Sequence, residues 1–441
     1  MAHRLIIPLL AFALAIVMAL PAKAQGLIRD AEIERGLREI SAPILNAAGL
    51  SPSRVRVLLI NDSSLNAFVA DPNTIFIHTG LVLRMNRVEE LQAVIAHEAA
   101  HISNGHLTRR MANLKAARRG ALVGLALSLA AGAANPRAGA GVAIGTQETA
   151  KRLFFAHTRA EEAAADQSAA RYMARAGVDP SAAVDVLNIF RGQEALSVGR
   201  QDPYTRTHPL TRDRIRAMQG VAAAYKENAR DDPRAQAWFA QVQTKLSAFL
   251  RAPGWTLNRV KNNDTSANAL MRKAVAYHRR PDRKRAFANI NALVQARPDN
   301  PYAHELRGQI HLENRDFGTA VNAYGRAVQL APNEPLILAG YGRALMALNT
   351  ADGNARALQV LEKSRQRDAL NPRMLRDLAT AYAKAGNNGM ASLTTAERYA
   401  LSGRLKDAAV HAKRAEGLLP RGSAPWQRAQ DMIFAAQTAT R

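Results

Sequence analysis

Cysteine is absent from the 441 residues of this chain. The absence excludes disulfide bonds, a lipoprotein anchor and any zinc site built on thiolate ligands. It is compatible with an oxidising compartment but does not establish one. Aromatic residues are scarce, at 5% of the chain. A length of 441 residues exceeds the usual range of a single domain, so two or more domains are expected.

Acidic residues are also few, with 36 against 60 basic ones and a formal net charge of +24. A charge of this size is typical of proteins that bind nucleic acid. Here the basic residues are scattered and no nucleic-acid-binding module is recognisable, so we expect no nucleic-acid partner. Anionic membrane surfaces or acidic proteins are better candidates. A compositional bias toward arginine explains the charge equally well.

The N-terminus has the pattern of a secretory signal peptide. Arg4 precedes an apolar run from Leu5 to Leu20, and Ala22-Lys23-Ala24 stands before Gln25. A basic start, an apolar core and an Ala-x-Ala site predict a signal peptide over residues 1–24, cleaved after Ala24. The apolar run is short for a membrane-spanning helix, although an uncleaved anchor is the alternative. The predicted location is therefore the periplasm of a bacterium.

The stretch His97-Glu98-Ala99-Ala100-His101 is the most informative in the chain. Residues 88–96 contain no Gly or Pro and place apolar residues at helical spacing, so a helix is predicted to carry it. Positions i and i+4 lie one above the other on a helix, and both imidazoles can therefore reach one Zn²⁺. Glu98 would face the open coordination position and serve as the general base. The motif alone is as often coincidental as functional, so a third ligand has to be found.

The segment 159–173 supplies candidates for that third ligand. It predicts a second helix, on which Glu162 and Asp166 share a face at i and i+4. In this arrangement Glu162 ligates the metal, and Asp166 accepts a hydrogen bond from a ligand histidine. Glu161 is the competing ligand, but no aspartate stands four residues after it. A solvated acidic face paired with nearby arginines is the structural alternative.

A metzincin site is excluded by spacing. That class requires a glycine three residues and a histidine six residues after the second ligand. Here Gly105 and His106 are both one residue out of register. The class with a glutamate as third ligand therefore fits better.

The two motifs together resemble the gluzincin peptidase family that includes HtpX and the CAAX prenyl endopeptidases, and most closely its BepA-like branch. The resemblance covers roughly residues 30–260. Gly105 departs from it, because relatives often carry an arginine there. The resemblance implies one Zn²⁺ per chain and quality control of outer-membrane proteins. The further stretches that carry it are Leu65–Val69, Thr74–Leu81, Ala176–Pro180 and Thr207–Arg212.

Two residues of the last stretch are lower-ranking site candidates. In relatives the histidine that corresponds to His208 lies near the metal. It would then stabilise the oxyanion, or occupy the fourth coordination position and keep the enzyme silent until substrate arrives. A helix-entry histidine held by Pro209 is the structural alternative. Arg212 is expected to position this segment or to support the active site.

The residues before the zinc motif suggest how a polypeptide substrate would be held. Residues 55–60, 65–69 and 74–81 predict strands. An edge strand beside a zinc cleft can pair with an extended polypeptide through main-chain hydrogen bonds. Asn66, Ala67 and Phe68 are the candidates for this edge, and a purely structural hairpin is nearly as well supported.

Residues 120–148 are apolar, rich in small side chains and nearly uncharged. They predict a helical hairpin that is a lid over the cleft, touches a membrane, or is simply buried. The break at Asn135-Pro136 argues against a single spanning helix.

The C-terminal part shows a repeat with a period of 34 residues. Ala286 and Ala320 are 34 apart, as are Pro298 and Pro332. This is the period of tetratricopeptide repeats, in which small residues lie where two helices cross and proline follows the second helix. About four units are expected between residues 268 and 421. Such stacks bury a continuous core and expose a concave face that binds other polypeptides.

The predicted fold is α+β and mainly helical: a zincin-type metalloprotease domain with a small antiparallel sheet, then an all-α tetratricopeptide repeat solenoid. The predicted function is zinc-dependent cleavage of polypeptides, and the repeats would recruit misfolded or unassembled envelope proteins or contact the outer-membrane assembly machinery. A chaperone or assembly adaptor with latent proteolysis is the alternative from another class. A membrane-embedded peptidase is disfavoured, because 120–148 is the only further long apolar stretch. The predicted boundaries are 1–24 for the signal peptide, 25–230 for the metalloprotease domain, 231–267 for linker helices, 268–421 for the repeats and 422–441 for a C-terminal helix or tail.

Overall fold

The computed structural model describes residues 26–109, 158–196, 200–209 and 212–439. Contacts within the chain divide it into two compact units. The first comprises Met1–Ile28 and Leu37–Gln236, and the second comprises Arg29–Gly36 and Ala237–Arg441. The predicted signal peptide and the segment 120–148 lie outside the described residues. The fold is mainly helical with one small sheet and a series of helical repeats, as predicted.

The first unit contains a four-stranded sheet in the order β1-β2-β4-β3. The outer pairs are antiparallel, but β2 and β4 run parallel. The sheet is therefore mixed, and the prediction of an antiparallel sheet is wrong for its central pair. The reason is that β3 folds back on β4 as a hairpin, so the chain reverses twice before β4 lies beside β2. The strands are β1 (Leu27–Ile28), β2 (Arg56–Ile60), β3 (Ala67–Asp71) and β4 (Thr74–His78).

Seven helices of the described first part of the chain accompany this sheet. Helix α3 carries the zinc motif and packs against α4, α5 and the edge strand β3, while α7 packs against α4 and α5. The helices are α1 (Ala31–Ala47), α2 (Thr79–Arg84), α3 (Val88–Ser103), α4 (Arg159–Ala176), α5 (Ser181–Ile189), α6 (Pro203–Thr207) and α7 (Arg212–Tyr225).

Helix α3 lies in the core of the first unit. Thirteen of its 16 residues are buried, which is the pattern of a helix enclosed on all sides. Arg87, the residue before it, donates hydrogen bonds to Asp179 at 3.0 Å and to Asp185 at 2.6 Å. These contacts tie the start of α3 to the start of α5, so the zinc motif is held by both its core packing and its N-terminal end.

The second unit is a stack of consecutive helices. It begins within α8 and includes α9. In the described residues these two are followed by ten helices, which pack as five successive pairs. The helices are α8 (Pro233–Leu250), α9 (Pro253–Leu257), α10 (Ala267–Arg279), α11 (Arg283–Ala296), α12 (Pro301–Glu313), α13 (Phe317–Leu330), α14 (Pro335–Leu348), α15 (Ala351–Arg367), α16 (Pro372–Lys384), α17 (Asn388–Leu401), α18 (Leu405–Leu418) and α19 (Ala424–Ala439).

A tyrosine between two glycines explains the close packing of neighbouring repeats. Tyr324 is buried in α13. A Cβ on Gly308 would lie 2.5 Å from the Tyr324 ring, and a Cβ on Gly340 would lie closer still. Both positions therefore have to lack a side chain for the ring to fit between α12 and α14.

The second unit also buries a cluster of ionisable side chains. The fully buried ammonium of Lys245 lies 2.8 Å from an Asp30 carboxylate oxygen, 3.2 Å from Glu32 and 3.8 Å from Glu305. Burial raises the pKa of Glu305 to about 7; Lys245 opposes the rise, whereas Asp30 and Glu32 add to it. One cation therefore lies among three carboxyl groups, and Glu305 binds a proton more tightly than an exposed glutamate does. No helix within the described ranges is long and apolar enough to cross a membrane.

Candidate metal centre

Four buried side chains from three parts of the first unit converge on one point. His97 and His101 come from α3, Glu162 from α4, and His208 follows the last residue of α6. One donor atom from each can be chosen so that all lie within 4.8 Å of one another. Each of the four side chains is at most 7% exposed, so the site is shielded from bulk water.

Several of the distances between donor atoms are close to those of a tetrahedral zinc site. Zn–N distances of about 2.0–2.1 Å place the corners of a tetrahedron about 3.3 Å apart. His97 Nε2 lies 3.1 Å from His101 Nε2 and 3.3 Å from Glu162 Oε2. His208 Nδ1 lies 3.3 Å from His97 Nε2 and 3.0 Å from Glu162 Oε1. Three imidazoles and one carboxylate at this spacing form a donor set that fits zinc.

The N-terminal cap of α4 explains why Glu162 and not Glu161 faces the centre. The Glu161 amide donates to the Thr158 hydroxyl at 3.1 Å, and the Thr158 amide donates to a Glu161 carboxylate oxygen at 3.2 Å. This reciprocal pair is a capping box. It occupies Glu161 at the helix end and leaves Glu162 on the face that packs against α3.

Asp166 lies one turn after Glu162 and contacts the first histidine. Its Oδ1 is 3.0 Å from His97 Nδ1, the ring nitrogen that points away from the cluster. A carboxylate here fixes the orientation and tautomer of the imidazole and leaves Nε2 free for a cation. A contact from Asp166 to a ligand histidine was expected from the spacing of Glu162 and Asp166 on one helix face.

The arginine that contacts the donors is Arg214, two residues after the predicted Arg212. Arg214 is buried and donates to both oxygens of Asp166 at 2.7 and 2.9 Å, and its Nη1 lies 2.9 Å from Glu162 Oε2. Arg212 is exposed. Residues two apart on a helix point in nearly opposite directions, so only one of the two can face the carboxylates. Arg214 also donates to the carbonyl of Pro209 at 2.9 Å, which ties the His208 segment to α4.

Glu98 is fully buried beside the cluster. Its Oε1 lies 3.5 Å from His208 Nε2, the nitrogen of that ring that does not face the other three donors. The motif residue expected to move protons is therefore beside the donors on the side of His208.

Three residues that the sequence analysis did not assign to the site lie directly behind it. His106 Nδ1 is 2.8 Å from His101 Nδ1, and both rings are buried. Tyr204 stacks on His208 with ring centroids 4.5 Å apart, and Phe190 stacks on the other side of Tyr204 at 4.6 Å. His106 was considered only as a metzincin ligand, and the aromatic residues belong to no motif, so no sequence signal pointed to them.

Electrostatics favour a cation among these donors. Burial opposes ionisation of Glu162, but His208 and His97 outweigh it and hold the pKa of the carboxyl well below its usual value. Burial lowers the pKa of His97, yet Glu162 and Asp166 raise it overall to about 10. Burial lowers the pKa of His101 well below its usual range. The carboxylates thus create a negative potential where the imidazole nitrogens meet.

The predicted substrate-binding residues lie at the edge of the sheet. β3 is an outer strand, paired only with β4 in the described structure, and it packs against α3. Ala67 and Phe68 belong to β3, and Asn66 precedes it. The Asn66 side-chain oxygen is buried and has no hydrogen-bond partner among the described residues. The adjacent carbonyl of Leu65 accepts a hydrogen bond from the Tyr204 amide at 3.3 Å, which links this edge to the His208 segment.

Two known families match separate parts of the chain. Residues 28–222 match peptidase family M48. Residues 290–395 match the tetratricopeptide repeat domain of cytochrome c-type biogenesis protein H. The chain carries a peptidase family M48 domain followed by a tetratricopeptide repeat domain.

Two named relatives align with half of the chain or more. The beta-barrel assembly-enhancing protease of Escherichia coli strain K12 is 23% identical over 390 residues, which cover 87% of this chain and 78% of that protein. A putative beta-barrel assembly-enhancing protease of Vibrio cholerae is 26% identical over 247 residues, 52% of this chain and 51% of that protein. The crystal structure of MamA protein gives a TM-score of 0.30 at 12% identity, over 39% of this chain and 94% of that one. Homology to the first two supports a metalloprotease.

Proposed function

We propose that this protein is a zinc-dependent endopeptidase of the periplasm that acts on misfolded or unassembled envelope proteins. The observation that carries the proposal is the convergence of His97, His101, Glu162 and His208, whose donor atoms lie within 4.8 Å of one another, with Glu98 beside them. The predicted signal peptide supports the location. The names of the relatives, beta-barrel assembly-enhancing proteases, support the class of substrate. The repeats would bring such polypeptides, or the machinery that assembles them, to the peptidase.

His97, His101 and Glu162 would hold the zinc ion. When bound, the ion supplies Lewis acidity for the scissile carbonyl and for the attacking water. Asp166 and Arg214 fix the positions of His97 and Glu162, and His106 fixes the ring of His101. Glu98 accepts the proton from the attacking water and passes it to the leaving amine.

His208 occupies the fourth corner of the cluster, which is the position that substrate needs. We therefore propose that this arrangement is a resting state. The His208 ring has to move away before a scissile carbonyl can approach, and its Nε2 can then stabilise the oxyanion. An extended substrate that pairs with Asn66, Ala67 and Phe68 would contact the same loop that is hydrogen-bonded to Tyr204, which supplies a route from substrate binding to release of His208.

The test combines metal content with cleavage of casein by wild type, Glu98→Gln and His208→Ala. We expect about one zinc per chain in all three, because three ligands remain in each. Cleavage should be lost in Glu98→Gln and raised in His208→Ala. Protein that binds no zinc would overturn the proposal. Full activity in Glu98→Gln would exclude the assigned proton transfer, and reduced activity in His208→Ala would exclude the resting state while leaving the peptidase intact.

The alternative is an assembly adaptor in which proteolysis is latent, and the chain of paired helices in the second unit favours it. Glu98→Gln separates the two functions. Expressed in a cell that lacks the native protein, this variant would still support envelope-protein assembly if the protein is an adaptor. Loss of that support together with cleavage would assign the role to the peptidase.

A further inference from the structure

A cavity with several basic side chains lies in the repeat unit. It has a volume of about 720 Å³ and is formed by α16, α17 and α18. We call it the arginine groove. Its volume lies within the range of ligand-binding pockets, about 300–1,000 Å³. All its lining side chains belong to the second unit, so it is separate from the metal centre. They include Arg376, Thr380, Ser392, Arg398, His411 and Arg414.

Every ionisable residue that lines this groove is basic. One arginine comes from each of the three helices, and His411 adds a fourth nitrogen base. Arg398 and Arg414 have no carboxylate within salt-bridge distance among the described residues. Arg376 lies 3.3 Å from Asp377, but Asp377 is bound more closely by Arg343, at 2.5 Å. The positive charge of the groove is therefore largely uncompensated.

The pKa of His411 reflects the same uncompensated positive charge. Burial lowers its pKa below the usual value, and the charges of Arg414 and Arg398 lower it further against the opposing charge of Asp407. The ring is held in place by stacking on Tyr399, with centroids 5.3 Å apart. An anion that entered the groove would reverse this effect and raise the pKa of His411.

We propose that the arginine groove binds an extended, acidic polypeptide segment. Guanidinium groups from three successive helices present planar donors to carboxylates spaced along a chain. The lining also includes the small side chains of Ala379, Ala383 and Ala391, which leave room for a peptide main chain. Hydroxyl and amide groups at the same surface can hydrogen-bond that main chain, whereas a compact anion such as phosphate would leave most of the groove empty.

This inference goes beyond the proposed function because it names the chemistry of a partner and does not depend on cleavage. Binding is measured on full-length Glu98→Gln protein by fluorescence anisotropy. The probe is a labelled ten-residue peptide in which Glu alternates with Ser-Gly-Asp segments. The control peptide carries Gln in place of Glu and Asn in place of Asp. We expect the acidic peptide to bind, its affinity to fall as salt is raised, and the neutral peptide not to bind.

The Arg398→Gln/Arg414→Gln double variant should weaken binding by about tenfold or more. Its matched control is Arg326→Gln/Arg356→Gln, which removes the same charge from exposed arginines of the same unit that already face carboxylates. The control should bind within about twofold of the parent. Equal losses in both variants would show that only net charge matters and would overturn the proposal.

Two further measurements distinguish other anions. In an NMR pH titration, the pKa measured from the His411 resonance should be higher with the acidic peptide bound. An unchanged pKa would contradict binding in the groove. Vesicles of anionic phospholipid or inorganic phosphate that compete fully with the peptide through Arg398 and Arg414 would reassign the groove to phosphate groups. Failure of the peptidase test would leave these results unchanged, because no measurement here requires zinc or cleavage.

Discussion

At the scale of single residues, the buried Arg214 is the support that links the donors to one another. It contacts both Asp166 and Glu162 and also the carbonyl of Pro209. Removing one partner of a buried, hydrogen-bonded charge pair leaves the other charges without compensation and typically costs about 3–5 kcal/mol. The two carboxylates that orient His97 and complete the donor set therefore depend on this one guanidinium.

Arg214→Ala should lower zinc affinity by about 10–100-fold, because Asp166 and Glu162 lose the group that orients them. Arg212→Ala is the matched control, since that side chain is exposed two positions earlier on the same helix. We expect its zinc affinity to equal that of wild type. Competition with a zinc chelator of known affinity measures both, and a larger loss in Arg212→Ala would return the supporting role to that residue.

The sequence predicted the residues that belong to a motif with helical spacing, and it missed those that only packing between elements brings to the site. His97, His101 and Glu98 follow from helical spacing, and their convergence with Glu162 agrees with that spacing. The choice between Arg212 and Arg214 depends on how α7 is rotated against α4, which its own sequence does not determine. His106 was overlooked because spacing was tested only against direct metal ligation.

At the scale of elements, the same limit applies to the sheet. The three strands near residues 55–81 were predicted from their apolar residues, and they form over 56–60, 67–71 and 74–78. The prediction is wrong for residues 79–81, which begin helix α2. The parallel pairing of β2 and β4 was not predicted, because strand direction depends on where the hairpin of β3 and β4 docks. The edge position of β3 is a consequence of that docking. Its proposed role in substrate binding stays a prediction.

The repeat helices give a test of packing that the sequence period alone does not provide. Gly308→Ala should destabilise the second unit by about 1–3 kcal/mol, because its Cβ would overlap the Tyr324 ring. Gly318→Ala in α13 is the matched control, since nothing lies within 4 Å of its Cβ position. That change should stabilise the second unit by about 0.5–1 kcal/mol, because Ala has a higher helix propensity than Gly. Urea unfolding followed by tryptophan fluorescence measures both, and similar values for the two variants would contradict the packing described.

At the scale of the whole molecule, the two units can be followed separately. All three tryptophans, Trp238, Trp255 and Trp426, belong to the second unit, whereas the candidate metal centre belongs to the first. Tryptophan fluorescence thus reports one unit, and far-UV circular dichroism reports both.

Removal of zinc should destabilise the first unit selectively. A ligand at a thousand times its dissociation constant contributes about 4 kcal/mol to the native state, and chelation with EDTA removes that contribution. The melting transition seen by circular dichroism should shift to lower temperature more than the tryptophan transition does. The His97→Ala/His101→Ala variant should melt at the same temperature with and without EDTA. A shift of that variant would show that EDTA acts elsewhere.

The buried cluster around Lys245 predicts a pH dependence of the second unit. The pKa of Glu305 is about 7 in the folded chain, against an ordinary value of 4.5. Below pH 4.5 both states hold the proton and the stabilisation is complete. As the pH rises from 4.5 through 7 the unfolded chain releases the proton first, so this contribution, about 3 kcal/mol, is lost. Glu32, whose pKa is also raised by burial, acts in the same direction.

The measurement is the free energy of unfolding of the second unit by urea at pH 5.5 and 7.5. Glu305→Gln removes the titrating proton, so its stability should fall less than that of wild type over this interval. The exposed Asp299 provides the control variant, Asp299→Asn, which should keep the slope of wild type. If the free energy of unfolding of Glu305→Gln fell with pH as steeply as that of wild type, the pH dependence would have to come from other groups.

The position of His208 has a consequence for inhibitor discovery. In the proposed resting state, a chelating compound has to displace that ring before its own donor can take the fourth position. Its apparent affinity is then lower than its intrinsic affinity by the fraction of molecules in which the ring has already left. A screen against wild type would rank compounds by how well they compete with the chain itself. A screen against His208→Ala would rank them by their fit to the metal and the cleft.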